Sequence, residues 1–196
     1  MMRSAVRVLF FMLALQVGVA TGAWAAPQRI VSLDLCTDWM LARYADHAQV
    51  RALSPLHRQY PVAWIGSHWP VHDGTLEQLV ALKPDLVMAG EYNAPLLRAR
   101  LLALGVRVEV LPLPKSLADI HTYERRVLAL LGKSESLASV EPSAVHHSSP
   151  HPRLLLLGPN GVGTGRGTME HDILVRAGWY NDVKGQGYVQ LYLERK

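Results

Sequence analysis

The order of apolar and polar residues along the chain predicts alternating strands and helices. Short runs rich in Val, Ile and Leu have the length of β-strands, and they cover residues 29–33, 50–53, 85–90 and 106–113. The run DLVMAG at 85–90 is almost continuously apolar and is bounded by turn residues. A strand of this kind is typical of a parallel sheet that is covered on both faces.

The segments between these strands have the apolar periodicity of helices. Residues typical of helix N-termini and C-termini mark where each predicted helix begins and ends. The predicted helix N-caps are Thr37, Thr75, Asn93 and Ser116. Gln78 follows Thr75 at the spacing of a capping box. The predicted helix ends are marked by Pro84, Gly105 and Gly132. This alternation predicts an α/β fold with a mainly parallel sheet.

A change in composition divides the chain into two parts. Residues 133–153 are rich in Ser, Pro and His, and the run RLLLLG at 153–158 then predicts a new buried strand before a glycine-rich loop and another helix. We therefore predict an N-terminal α/β lobe over 26–115, a linker helix with a Pro/His-rich segment over 116–152, and a partial C-terminal lobe over 153–196. The second lobe is expected to be incomplete, because its segment is shorter than domains that normally fold alone.

Residues 1–25 have the pattern of a secretory signal peptide. Arg3 and Arg7 precede an apolar core of about 13 residues, which is short for a membrane span, and Ala23 and Ala25 are small residues before a cleavage point. Cleavage after Ala25 would place the mature chain in the periplasm. The alternative is an N-terminal anchor helix.

Composition narrows the range of functions. Hydrophobic residues make up 49% of the chain and charged residues 18%, which is typical of a globular protein. The net charge is +4, and the basic residues are scattered, which argues against a nucleic-acid partner. The single cysteine, Cys36, excludes an internal disulfide framework and a cysteine-rich metal site.

Two loops contain candidate ligand contacts. Trp64 and Trp69 lie in a long Pro- and Gly-interrupted loop, and together with Tyr92 they could form an apolar wall for a large flat ligand or simply pack beneath the loop. Arg166 lies in the glycine-rich loop at 158–168. That loop has Thr164 where a phosphate-binding loop needs lysine, so it indicates either a ligand contact through its backbone and Arg166 or a tight connector.

Two further groups of residues are candidate chemical sites. His146, His147 and His151 could bind Zn²⁺ or Cu²⁺, but their segment is rich in proline and has no supporting acid besides Glu141, so a solvated linker without metal is favoured. Ser32 and Cys36 lie close together at the end of the first strand without the sequence context of a nucleophile elbow. The sequence therefore predicts no metal site and gives little support to a hydrolase.

Four segments carry a resemblance to a known family, namely RIVSLDLCTDWML, LEQLVALKPDLVMAG, LLRARLLALGVRVEVLPLPKSLADI and RLLLLGPNGVGTGRGT. They resemble the helical-backbone class (class III) of periplasmic substrate-binding proteins, which serve ABC importers of cobalamin, ferric siderophores and haem. The resemblance covers about residues 27–132 and 153–196, and ALKPDLV is its most specific part. It implies two α/β lobes joined by a long helix, a ligand bound between them, and neither catalytic residues nor a resident cofactor.

The resemblance also implies a role for two glutamates. In that family each lobe presents a glutamate to basic residues of the importer's permease subunits. Glu77 in TLEQL matches the glutamate of the N-terminal lobe, and Glu194 in LYLERK looks like its counterpart. An acid on the first turn of a helix is favoured by the helix dipole, and two separated charges can orient a basic partner. Without the resemblance, both would be ordinary acids at helix starts.

The sequence thus predicts a periplasmic binding protein, not an enzyme, that captures an iron-siderophore, haem or cobalamin-type ligand and delivers it to an ABC importer. Pro142, Pro150 and Pro152 interrupt the expected linker helix, and the chain ends where a further helix is expected to begin. These departures favour a C-terminally truncated member. Two alternatives remain: a truncated homologue that no longer binds ligand, and a secreted hydrolase that uses the Ser32–Cys36 turn.

Overall fold

A computed structural model describes residues 26–66, 68–133 and 152–192. The predicted signal peptide therefore lies outside the described residues. The strands are β1 (Ile30–Ser32), β2 (Val50–Ala52), β3 (Leu86–Gly90), β4 (Val108–Leu111), β5 (Arg153–Leu154), β6 (Val162–Thr164), β7 (Tyr180–Asn181) and β8 (Tyr188–Gln190). The α-helices are α1 (Leu35–Tyr44), α2 (Leu56–Gln59), α3 (Leu76–Ala81), α4 (Pro95–Ala103), α5 (Leu117–Leu130) and α6 (Met169–Arg176).

The N-terminal part contains a four-stranded sheet in the order β2-β1-β3-β4, and every neighbouring pair is parallel. Ile30 of β1 pairs with Leu86 of β3, and Val87 of β3 pairs with Val108 of β4. The α/β fold and the parallel sheet predicted from the alternation of strands and helices are therefore confirmed.

Helices cover both faces of this sheet. In β3 the side chains of Leu86 and Met88 join a core that also contains residues of α1 and α5, whereas Val87 and Ala89 join a core with residues of α3 and α4. All five residues of β3 are buried, as predicted from the continuous apolar run. Alternate side chains point to opposite faces of a strand, so such a run is required where both faces are covered.

Two predicted helix starts are confirmed and two are wrong. The side chains of Thr75 and Ser116 cap α3 and α5 by accepting from the backbone N–H groups three residues later. The N-cap of α1 is Asp34, whose carboxylate accepts from the Cys36 N–H, so Thr37 lies inside the first turn. The N-cap of α4 is Ala94 with φ +46°, not Asn93, because the chain turns through a left-handed residue directly before Pro95.

The second part has a different strand arrangement from the one predicted. β5 pairs with β7 in parallel, whereas β6 pairs with β8 in antiparallel orientation. The predicted buried strand at 153–158 is wrong, since β5 has only two residues and Leu155 and Leu157 are 49% and 51% exposed. The run is apolar, but the short pairing with β7 leaves it without a second covering layer among the described residues.

The beginning of the predicted linker is a helix. α5 has 14 residues and ends before Gly132, which has φ +70°. The helix end predicted from this glycine is therefore confirmed. The Pro/His-rich remainder at 134–151, with His146, His147 and His151, lies outside the described residues. None of the helices in the described ranges has the length and apolar character needed to cross a membrane.

Candidate functional site

A cleft of about 810 Å³ lies between the N-terminal sheet and the second part of the chain. Its N-terminal wall is formed by Cys36, Trp39, Met40, Tyr92, Leu113, Pro114, Lys115, Ile120 and Tyr123. Its opposite wall is formed by Gly167, Thr168, Met169, Glu170, Gly187 and Tyr188. The volume falls within the range of about 300–1,000 Å³ that is usual for small-molecule sites.

The topology of the sheet explains this position. The chain leaves the carboxyl ends of β1, β3 and β4 at the same edge, which is where open parallel sheets bind ligands. Trp39 and Met40 lie on α1 after β1, Tyr92 follows β3, and Leu113 follows β4. On the other side, the Thr168 side chain caps α6 by accepting from the His171 N–H. This cap fixes the start of α6, which carries Glu170, beside the cleft.

Three residues that line the cleft each carry a polar atom that is buried and has no hydrogen-bond partner in the described structure. These atoms are the indole Nε1 of Trp39, the hydroxyl of Tyr123 and the carboxylate Oε2 of Glu170. Tyr123 is 6% exposed, so its hydroxyl has almost no access to bulk water. Buried polar groups are normally paired, and leaving one unpaired costs about 1–3 kcal/mol.

Two of the residues that line the cleft are exposed tyrosines. Tyr92 and Tyr188 are 68% and 63% exposed, and they come from opposite walls. The Tyr188 hydroxyl lies 3.4 Å from Glu170 Oε1. Desolvation raises the pKa of Tyr188, and the Glu170 carboxylate and Tyr92 add to the increase. Burial also raises the pKa of Tyr123, with smaller contributions from Asp34 and Cys36, so its phenol stays protonated at neutral pH.

A direct hydrogen bond links helices α5 and α6, which both contribute residues to the cleft. The Leu117 N–H at the start of α5 donates to Asp172 Oδ2 of α6 over 2.9 Å. The same carboxylate oxygen accepts from Arg176 Nε, also at 2.9 Å, one helical turn later. Asp172 therefore holds α6 against the first turn of α5.

The predicted ligand-contact residues are not gathered at one place. Tyr92 lines the cleft, but Trp64, although 57% exposed, does not. Trp69 is 8% exposed and belongs to the core, where its indole Nε1 donates to the Ile65 carbonyl over 3.2 Å. Arg166 faces a neighbouring cavity beside His171, although Gly167 and Thr168 of the same loop do line the cleft. The structure therefore places Trp64 and Trp69 away from the cleft that Tyr92 lines, and their contact with a ligand stays a prediction.

Of the two predicted docking glutamates, Glu77 lies among the described residues. Glu77 is exposed on the first turn of α3, at the surface of the N-terminal lobe. It does not line the cleft. Glu194 lies outside the described residues.

The Ser32–Cys36 turn lacks the features of a nucleophilic site. Ser32 is fully buried, and its hydroxyl is hydrogen-bonded to the Thr37 hydroxyl at 2.6 Å and to the Asp34 carbonyl at 3.0 Å. Burial raises the pKa of the Cys36 thiol to about 11, and the nearby Asp34 and Asp38 add to the effect. A thiol needs its thiolate form to react, so Cys36 is poorly suited to nucleophilic attack near neutral pH.

Several cleft residues were missed by sequence reasoning. Trp39, Tyr123, Glu170 and Tyr188 lie far apart in the chain and meet only through the fold. For Trp39 a signal existed, because an aromatic residue one turn into the helix after a parallel strand is well placed to reach the ligand-binding edge. For the others we find no local signal. Within residues 26–66, 68–133 and 152–192, no group of three or more His, Cys, Asp or Glu side chains could hold a metal ion.

Comparison with known proteins gives structural but not sequence matches. Neither a protein-family model nor a curated protein matches the sequence. A possible iron-binding (periplasmic solute-binding) protein from Staphylococcus epidermidis ATCC 12228 is similar in structure, with a TM-score of 0.71 at 17% identity, over 85% of this chain and 72% of that protein.

Two periplasmic haem-binding proteins are also similar. The protein from Pseudomonas aeruginosa gives a TM-score of 0.55 at 23% identity, over 83% of this chain and 65% of that protein. The apo protein from Roseiflexus sp. RS-1 gives a TM-score of 0.61 at 22% identity, over 84% of this chain and 70% of that protein. Sequence identities at this level are evidence for a shared fold only. The chain has the two-lobed α/β fold of periplasmic solute-binding proteins.

Proposed function

We propose that this protein is a periplasmic binding protein that captures a haem-type iron chelate and delivers it to an ABC importer. The observation that carries the proposal is the cleft at the carboxyl edge of the parallel sheet, lined mainly by apolar and aromatic side chains from both lobes. Three solute-binding proteins of the same fold, two of them described as haem-binding and one as possibly iron-binding, support the choice of ligand class.

The chemistry of the lining supports a flat, largely apolar chelate. Trp39, Met40 and Ile120 offer apolar surface inside the cleft. Tyrosine oxygen is one of the side-chain ligands that proteins use for haem iron. Tyr92 is the candidate for this contact, because the hydroxyl of Tyr188 already lies near Glu170. The buried Ser32 and the protonated Cys36 give no support to the hydrolase alternative.

Delivery requires a surface that the permease can contact. Glu77 is exposed, lies outside the cleft and is available to a basic partner while ligand is bound. Its position supports a docking role for the N-terminal lobe. The corresponding role of Glu194, like removal of residues 1–25 on export to the periplasm, remains a proposal from the sequence.

Titration of the purified mature chain with haemin, a ferric siderophore and cobalamin tests the proposal. Haemin is expected to give a saturable Soret shift and tryptophan quenching with a Kd of about 1 µM or tighter. Tyr92→Ala is expected to weaken haemin binding about 10-fold or more. Trp64→Ala is the matched control and is expected to bind as the unchanged protein does.

Other outcomes separate the alternatives. Preferential binding of the siderophore or cobalamin would retain the binding role and change the ligand. Absence of saturable binding to all three would favour the homologue that no longer binds ligand.

A further inference from the structure

We infer that the second part of the chain has an anion site of its own, which takes a small organic carboxylate with an apolar body. The site is a cavity of about 530 Å³ beside α6. All of its lining residues lie between residues 166 and 184, so the N-terminal lobe contributes none of them. Among the described residues, none lines both this cavity and the cleft. A ligand held here is therefore additional to the one proposed for the cleft.

Two cationic side chains of this cavity have no partner. Arg166 and Lys184 are exposed, and neither side chain forms an ion pair or a hydrogen bond with the described residues. The backbone keeps the two residues close, because the Arg166 N–H donates to the Gly185 carbonyl over 2.9 Å and the Gly187 N–H donates to the Arg166 carbonyl over 2.8 Å. An anion beside them is attracted by both charges, and a guanidinium matches a carboxylate in shape.

Three acidic residues adjoin cavity residues in the chain, and each is engaged elsewhere. Asp182 accepts from Arg153 Nε over 3.2 Å, and Asp172 accepts from Arg176 Nε over 2.9 Å. Glu170 lines the cleft. None of the described residues that line the cavity is Asp or Glu. Two unpaired cations without a carboxylate favour an anionic ligand.

His171 adds a hydrogen-bond donor to the lining. The Asn181 side chain is buried, and its Oδ1 accepts from the Val183 N–H over 3.0 Å, so its amide nitrogen is the donor that lies 3.1 Å from His171 Nδ1. With Nδ1 accepting, the hydrogen of the neutral ring is on Nε2. Nε2 has no partner among the described residues and is not closed off from solvent. A polar contact that His171 makes in the cavity is therefore made as a donor, which suits a carboxylate oxygen.

Apolar surface lies beside these polar groups. Val175 and Trp179 line the cavity, and Val175 is 52% exposed. The body of an organic acid would remove some of this surface from water, which is favourable, whereas a small inorganic ion has no apolar surface to bury. The lining therefore suits a carboxylate with an aliphatic or aromatic body.

Benzoate is the probe that tests this site, with benzamide and acetate as matched comparisons. Benzamide keeps the ring and lacks the charge, whereas acetate keeps the charge and lacks the ring. The indole N–H resonance of Trp179 in nitrogen–proton NMR spectra of the mature chain, assigned with Trp179→Phe, reports occupancy of the cavity. Benzoate is expected to bind saturably with a Kd of about 1 mM or tighter, and about 10-fold or more tightly than either comparison.

Three variants test the cations. Arg166→Gln and Lys184→Gln each remove one charge from the cavity and are expected to weaken benzoate binding about 10-fold. Lys115→Gln is the matched control, since it removes the same charge from the cleft, and benzoate binding is expected to stay within about twofold. Haemin affinity is expected to be unchanged in the two cavity variants, so loss of this site and loss of the proposed function are distinguishable.

Lys184→Arg keeps the charge and is expected to bind benzoate within about twofold of the unchanged protein. A loss as large as in Lys184→Gln would overturn the inference, because the charge would then not be the cause. Equal affinity for benzoate and benzamide, or equal losses in Arg166→Gln, Lys184→Gln and Lys115→Gln, would also overturn it. Equal affinity for benzoate and acetate would overturn the assignment of an organic acid with an apolar body.

Discussion

At the residue scale, His72 shows how a buried side chain joins the loop before α3 to the sheet. His72 is 3% exposed, and its Nε2 lies 2.8 Å from the Ser32 carbonyl at the end of β1. Its Nδ1 accepts from the Gly74 N–H over 3.0 Å. With Nδ1 accepting, the hydrogen resides on Nε2, so the neutral ring satisfies both contacts. Protonation of Nδ1 would break the second contact.

This arrangement predicts a pH dependence of stability. Burial lowers the pKa of His72, against smaller opposing contributions from the Ser32 carbonyl and Asp73. The unfolded chain then binds more protons than the folded chain, so the stabilisation is present above the ordinary histidine pKa of about 6.5 and is lost as pH falls below it. The free energy of unfolding is expected to decline more steeply between about pH 7 and 5 in the unchanged protein than in His72→Gln. Urea unfolding followed by circular dichroism measures both slopes, and equal slopes would contradict the assignment.

At the element scale, the end of β3 and the start of α1 are packed against each other beneath the cleft. A Cβ added at Gly90 would lie 2.5 Å from Asp34 Oδ2 and 3.1 Å from Asn93 Oδ1. Asp34 cannot move away freely, because it is 7% exposed and caps α1. The close approach of the two elements therefore depends on glycine at this position.

Gly90→Ala is expected to lower the free energy of unfolding by about 1–3 kcal/mol through this overlap. Gly158→Ala is the matched control, since a Cβ there meets only the Val162 carbonyl at 3.5 Å, and a change within about 0.5 kcal/mol is expected. In an Asp34→Ser background the shorter side chain relieves the overlap, so Gly90→Ala should cost less. Chemical denaturation of the four variants measures these differences, and an undiminished cost in the Asp34→Ser background would show that Asp34 is not the obstacle.

At the scale of the whole molecule, the cleft and the proposed docking surface are separate. The cleft lies at the carboxyl edge of the sheet, where Asp172 ties α6 to the start of α5. Glu77 lies on α3, whose buried residue packs on the other side of the sheet from α1 and α5. A ligand in the cleft therefore leaves Glu77 uncovered. This separation allows capture and docking to be disturbed independently.

Glu77→Gln is expected to weaken binding to the importer permease several-fold while leaving haemin affinity unchanged, because it removes one charge from the docking surface only. Asp46→Asn is the matched control, since it removes the same charge from another exposed site, where Asp46 pairs with Lys133 at 3.2 Å. Binding to permease in nanodiscs is measured at about 0.05 M and about 0.5 M salt, and the Glu77 effect should shrink at the higher value. Equal losses for both variants would indicate a general charge effect instead of docking.

The sequence alone determined most of the N-terminal lobe and the start of the helix that follows it. Its strands are short apolar runs, and the caps at Thr75 and Ser116 act on backbone groups three residues away, so both are local properties that a pattern can predict. The parallel sheet followed from the alternation of strands and helices. The run at 153–158 was equally apolar but remains half-exposed, because burial depends on which elements cover a strand.

The tertiary structure alone decided the candidate site. Trp69 and Tyr92 are both aromatic loop residues, yet the fold buries the first in the core and places the second at the cleft. Trp39, Tyr123 and Glu170 come from three helices and line one cavity only because the carboxyl ends of the parallel strands and the start of α6 face each other. The apolar and polar pattern around a residue specifies whether it lies in a helix or a strand. Which residues it faces across the cleft depends on contacts between segments that are distant in the chain.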